Sequence, residues 1–145
     1  MKWLPVITSF FCGVLLTITV VGFTRSGSSD EGYILEREKD IAKEEPGSHN
    51  GGGLTTGYSF FSKLDDLKWV LRKRTLRPGS SIGYHLQKTD EIYYIVGGRG
   101  EMSVNGKTFP VAAGDAVLTR PGNSHGLKPT GNDSVTLIIN YIKEQ

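Results

Sequence analysis

The chain reads as all-β, a sandwich or small barrel of short strands. Three observations predict this. Short apolar runs recur at regular spacing between Leu67 and Ile142, with little helical periodicity among them. The 19 glycines tend to fall between those runs, which favours many turns over long helices. Asn105-Gly106 stands between two alternating segments, and an Asn-Gly dipeptide in that setting is the strongest short hairpin signal.

Taken in order, the first segment is the exception to this pattern. Met1-Lys2 precedes an uncharged run from Trp3 to Phe23. The run exceeds the ~7–15 residues of a usual signal h-region and is about long enough to span a bilayer. A buried core helix is the alternative, but the run has no amphipathic face. Small residues follow at Gly22, Ser26, Gly27 and Ser28, without a clear Ala-x-Ala cleavage site. Residues 1–26 are therefore expected to form a signal peptide or an uncleaved membrane-anchor helix. With Lys2 cytoplasmic, the rest of the chain is expected to be exported, periplasmic or extracellular. Cys12, the only cysteine, lies inside the apolar run, so no intramolecular disulfide forms, and its surroundings are not those of a lipidation site.

Residues 27–57 are polar and are expected to be a linker or N-terminal arm. Within them, Tyr33 to Lys43 reads as a short helix or a solvated tether, and Gly51-Gly52-Gly53 reads as loop. A pure linker is the plain expectation. The sharper one is an arm whose backbone folds closely over something and carries His49 to it.

Residues 58–145 are expected to be the folded barrel. Phe60 and Phe61 begin a short packed segment. The strands expected are Leu67–Leu76, Ser80–Leu86, Ile92–Val96, Glu101–Val104, Lys107–Val111, Ala116–Thr119, His125–Lys128 and Ser134–Ile142. Their core is expected from Val70, Leu76, Ile82, Ile95, Val104, Val117, Leu118, Leu137 and Ile139. Alternation puts Arg72 and Arg74 on one face, expected to be the solvated outer one. About 90 residues make a small core, which burial in a homodimer would enlarge.

A net charge of +2, with scattered basic residues and no basic helix, argues against nucleic acid as a partner. The membrane is expected to matter only through the N-terminal segment. Two of the three histidines fall in two Gly-rich stretches, Gly79-Ser-Ser-Ile-Gly-Tyr-His85-Leu-Gln87-Lys-Thr-Asp-Glu91 through Gly98, and Gly114 through Gly122-Asn-Ser-His125. On a strand, residues two apart share a face, so His85 and Gln87 point the same way. Glu91 begins the next strand and can return to that face, while His125 is expected from a strand across the barrel. Imidazole and carboxylate together suit Fe, Mn, Ni or Zn.

These stretches resemble the cupin family. Its first motif is Gly-x5-His-x-His-x3-4-Glu-x6-Gly; Gly79, His85, Glu91 and Gly98 match, and Gln87 replaces the second His. Its second is Gly-x5-Pro-x-Gly-x2-His-x3-Asn; Gly114, Gly122 and His125 match, while Arg120 replaces the Pro and Pro129 the Asn. The resemblance covers roughly Tyr58 to Tyr141 and implies a single jelly-roll β-barrel. It also implies a divalent transition metal at the positions of His85, Gln87, Glu91 and His125. Gln87 either completes that ligand set or lines the pocket beside it.

Tyr93 shares the inward face of Glu91 and either contacts substrate or fills the barrel. Arg120, at the rim, either binds an anionic group or is solvated. Two functions are open. One is a metal-dependent enzyme acting on a small sugar or organic acid, of dioxygenase, isomerase, epimerase or lyase type, with Glu91 or a metal-bound hydroxide moving a proton. The other is a non-catalytic module that binds the same class of small molecule. A DNA-binding regulator lacks the expected helical domain.

Overall fold

The computed structural model describes residues 32–144. The expected signal or anchor segment, 1–26, lies outside them. Among the described residues no helix is long and apolar enough to cross a membrane. Leu35–Gln145 form one compact unit.

A single helical turn, α1 (Glu38–Ile41), precedes ten strands: β1 (Ala42–Gly47), β2 (Gly52–Phe60), β3 (Trp69–Leu76), β4 (Ile82–Leu86), β5 (Glu91–Gly97), β6 (Arg99–Val104), β7 (Lys107–Ala112), β8 (Ala116–Thr119), β9 (Ser124–Pro129) and β10 (Val135–Ile142). They form two antiparallel sheets, ordered β1-β2-β3-β10-β5-β8 and β4-β9-β6-β7. This is the all-β jelly-roll arrangement expected of β3 onward. Asn105 and Gly106 both take positive φ, 49° and 78°, as a two-residue turn matching the right-handed twist of its strands requires.

The core lies between the sheets. Leu76, Ile95, Val135 and Leu137 come from one, and Ile82, Met102 and Leu127 from the other. Strand β5 shows the period-two logic: Glu91, Tyr93 and Ile95 are buried, while Ile92, Tyr94 and Val96 are exposed. Leu118, expected in the core, is instead 48 % exposed. Adjacent residues of a strand face opposite ways, so Val117 and Leu118 cannot both turn inward.

Two further expectations are corrected. The segment read as a linker is, from Ala42 onward, a β-hairpin that extends the larger sheet, and β2 pairs with β3 along Thr55–Phe60. Arg72 and Arg74 do share a face, but it is the inner one. Arg74 is only 6 % exposed, and its guanidinium donates to Thr55 Oγ1 at 2.9 Å and to the Glu45 carboxylate. The hairpin supplies both partners, so the charge is buried without being orphaned. Arg72 lies over the Tyr141 ring, 5.9 Å from its centroid.

Candidate metal centre

The two Gly-rich stretches meet at one end of the barrel through backbone contacts. Gly122 N–H donates to Gln87 O at 2.9 Å, and Gln87 N–H donates to Asn123 O at 2.8 Å. His85 on β4 pairs in register with His125 on β9. His125 therefore comes from the neighbouring strand of the same sheet, not from across the barrel as expected. The residue that crosses is Glu91, which projects from β5 of the facing sheet.

The side chains converge closely. Ligand atoms of His85, Glu91 and His125 all lie within 4.8 Å of one another. The Gln87 amide stands among them, its Nε2 2.8 Å from His85 Nε2, 2.8 Å from Glu91 Oε2 and 2.7 Å from His125 Nε2. His125 Nε2 is 2.9 Å from Glu91 Oε2. His125 is fully buried, and Glu91 and Gln87 are 7 % and 8 % exposed.

The outer nitrogens of both rings are engaged. His85 Nδ1–H donates to Gly83 O at 2.7 Å, which leaves Nε2 a lone pair aimed inward. His125 Nδ1 is 2.7 Å from Thr119 Oγ1, and donation to that hydroxyl leaves its Nε2 in the same state. Holding the outer nitrogen this way is how a protein orients a metal-ligating imidazole.

The donor set fits a cation. Two imidazole lone pairs and a carboxylate face one point, and an NH2 group with two hydrogens cannot serve three acceptors. Rotation of the Gln87 amide brings its oxygen to the same place, as a fourth hard donor. Burial lowers the pKa of His85, opposed by its bond to Gly83 O, so the neutral, ligating ring is favoured.

A cleft of ≈ 400 Å³ opens over this cluster, lined within by His49, His85, Gln87, Glu91 and Tyr141, with Lys88 and Glu144 also contributing. His49 sits at the tip of the β1–β2 hairpin, and its ring lies flat on His85, with centroids 3.4 Å apart and planes 5° apart. The sharper reading of the arm is thus the observed one: it does fold over β4 and delivers His49.

Tyr93 lies behind the cluster, 2 % exposed, its ring 4.6 Å from that of His125. Burial, then the nearby Glu91 charge, pushes its pKa up, so the hydroxyl stays protonated. Arg120 is outside the cleft; its side chain is 69 % exposed and 3.7 Å from Asp90. Sequence reasoning missed Thr119, Tyr141 and the Gly83 carbonyl. The first two stand opposite Glu91 on the strands either side of β5, a register that the local sequence pattern does not give. The carbonyl carries no side-chain signal.

Residues 73–141 match the cupin domain family. The chain is 44 % identical over 109 residues to the oxalate-binding protein of Thermotoga maritima, covering 72 % of this chain and 90 % of that protein. It superposes with a TM-score of 0.69 and 30 % identity on the crystal structure of a predicted oxalate decarboxylase from the same organism, covering 77 % of this chain and all of that one. A cupin 2 conserved barrel domain protein from Rhodopseudomonas palustris superposes with a TM-score of 0.62 at 15 % identity, with 72 % of each chain covered, a likeness of fold.

Proposed function

This chain belongs to the cupin domain family, and we propose on that premise that it binds a small organic acid, with oxalate the first candidate, through a divalent transition metal in its barrel. The observation that carries this reading is the convergence of His85, Glu91 and His125 ligand atoms within 4.8 Å, beneath an open cleft. His85, Glu91 and His125 would hold the ion, with Gln87 as the neutral fourth donor. Fe, Mn, Ni and Zn all suit such a set. A bound ion of this kind supplies Lewis acidity and a docking point for carboxylate oxygens.

The residues around it do the rest. Gly83 O and Thr119 fix the two rings. Tyr93 fills the space behind His125 and excludes water from that side. Lys143, beside the cleft, favours an anionic ligand, while Lys88 there is paired with Glu144 at 3.3 Å.

Turnover of the bound acid is the second reading. It is favoured by the position of Glu91 Oε2, within hydrogen-bonding distance of His125 and facing the cleft, where a carboxylate can take or return a proton. The remaining parts of the reading are export of the barrel through segment 1–26 and pairing of two copies. The outward row Ile92, Tyr94 and Val96 on β5, with Leu118 beside it, is apolar and exposed, the pattern of a strand covered on both faces. Light scattering of wild type and Tyr94→Glu tests the pairing, which is refuted if wild type is monomeric. Fractionation of cells tests export, which a cytoplasmic chain would contradict.

The main test is elemental analysis of protein purified without a metal-affinity tag, followed by calorimetric titration with oxalate. Stoichiometric metal is expected, with oxalate binding that is lost in His125→Ala and in chelated protein. Metal-free protein that binds oxalate as well as the loaded form overturns the reading. Release of CO2 from oxalate separates turnover from binding alone.

A further inference from the structure

The β1–β2 hairpin tip is built at a cost that packing alone does not explain. His49 and Asn50 both take left-handed backbone, φ 52° and 59°, a conformation uncommon outside glycine and more readily adopted by Asn than by most residues. Three glycines let the tip lie directly on β4. A Cβ at Gly47 or Gly51 would overlap the Ser81 carbonyl oxygen, and one at Gly83 would overlap the carbonyl oxygen of His49 itself. Gly83 N–H donates to Ser48 O at 2.9 Å, and Ser81 Oγ donates to Gly51 O at 2.6 Å. The root of the hairpin is tied by the buried Arg74 to Glu45 and Thr55.

All of this delivers one imidazole to the cleft wall, beside His85, Gln87 and Glu91. A ring needed only for stacking requires no nitrogen. Yet among the described residues neither ring nitrogen of His49 has a hydrogen-bond partner, and the residue is exposed at the cleft wall. The ring is also not one of the grouped ligands, which are His85, Glu91 and His125. It lies 3.4 Å from the His85 ring, stacked on it. A bifunctional acid with one carboxylate docked on the cluster would hold its second oxygen-bearing group in the cleft that His49 also lines.

We propose that His49 is a specificity residue that donates a ring N–H to the second oxygen-bearing group of a bifunctional small acid. It selects a dicarboxylate over a monocarboxylate. The proposal rests on the organic-acid reading above and deepens it.

The test uses the full-length chain and two variants. His49→Phe keeps the flat ring and loses the donor. His49→Asn suits the left-handed backbone and loses the reach. Manganese is titrated first, then oxalate and acetate into the manganese-loaded proteins. Both variants are expected to bind manganese within about threefold of wild type. Oxalate affinity is expected to fall roughly 10- to 100-fold, the worth of a hydrogen bond to a charged group, with acetate affinity unchanged. If His49→Phe or His49→Asn, folded by circular dichroism, binds oxalate as wild type does, the role of His49 is overturned while the organic-acid reading stands. If wild type loaded with manganese fails to bind oxalate, both fall together.

Discussion

Replacing Gly83 by alanine is the sharpest probe of how the hairpin is held against the barrel. Gly83 has no left-handed backbone, so the substitution carries no torsional penalty. Its added methyl would overlap the His49 carbonyl oxygen, and would lie 3.0 Å from Gly51 N. Neither neighbour is a flexible side chain, so the hairpin tip must lift. Lifting breaks the bonds from Gly83 N–H to Ser48 O and from Ser81 Oγ to Gly51 O, each worth about 1 kcal/mol. It also separates the stacked rings of His49 and His85, worth roughly 0.5–1.5 kcal/mol. Alanine returns about 0.4–1 kcal/mol by restricting the unfolded chain. The net loss is about 2 to 3 kcal/mol, or roughly 10–20 °C in melting temperature for a unit of this size. The control is Gly97→Ala, a strand glycine of ordinary φ whose added methyl meets nothing within 4 Å. Thermal denaturation of the two metal-free variants side by side is the assay. Gly97→Ala is expected at or slightly above wild type. If Gly83→Ala melts within about 2 °C of it, the close-approach argument is refuted.

Three other outcomes are expected. Glu45→Ala leaves Arg74 buried with only Thr55 as partner and should cost about 2–4 kcal/mol in urea denaturation; a loss below about 0.5 kcal/mol would mean that solvent reaches the guanidinium freely. Thr119→Val keeps the shape and removes the hydroxyl that orients His125, so manganese affinity should drop roughly 10- to 100-fold with little change in melting temperature; unchanged affinity would show that the ring needs no such support. The pH dependence follows from His85, with His49 adding to it in the same direction, since burial lowers the folded pKa of both from 6.5. Below 6.5 the unfolded chain binds the extra proton, so the metal-free protein is expected to be most stable above that pH and to weaken as pH falls toward the lowered value. Melting curves between pH 7.5 and 5.5 check this, and a slope equal to that of His85→Gln would remove His85 as its source.

From β3 onward the strands were legible because their apolar periods and turn residues agree, and because two histidine-bearing motifs recur in order. What stayed hidden shares one physical cause. Glycine and arginine have been read by their usual partners, solvent and slack, when here each has a specific one. Gly51-Gly52-Gly53 reads as loop, but Gly51 and Gly53 are small because the backbone of Gly79–Gly83 passes against them. Thr55, Thr56, Tyr58 and Phe60 just after them carry ordinary strand-forming character that the glycines masked. Arg74 looked solvated because its carboxylate partner is 29 residues upstream, in a segment not counted as part of the fold. The candidate ligands were legible as a set, but not which sheet each comes from. Register between β4 and β9 is a long-range property that no local pattern prints.

The hairpin also decides what the larger sheet shows to other molecules. Its outermost strand on that side is β1, whose sequence Ala-Lys-Glu-Glu-Pro-Gly places charge beside charge and a proline without an N–H at the open margin. Such a margin offers a poor template to an incoming strand. A barrel ending on β2, with Leu54 and Thr56 along a bare edge, would invite stacking into aggregates. By adding β1, the chain closes that route at this margin of the sheet.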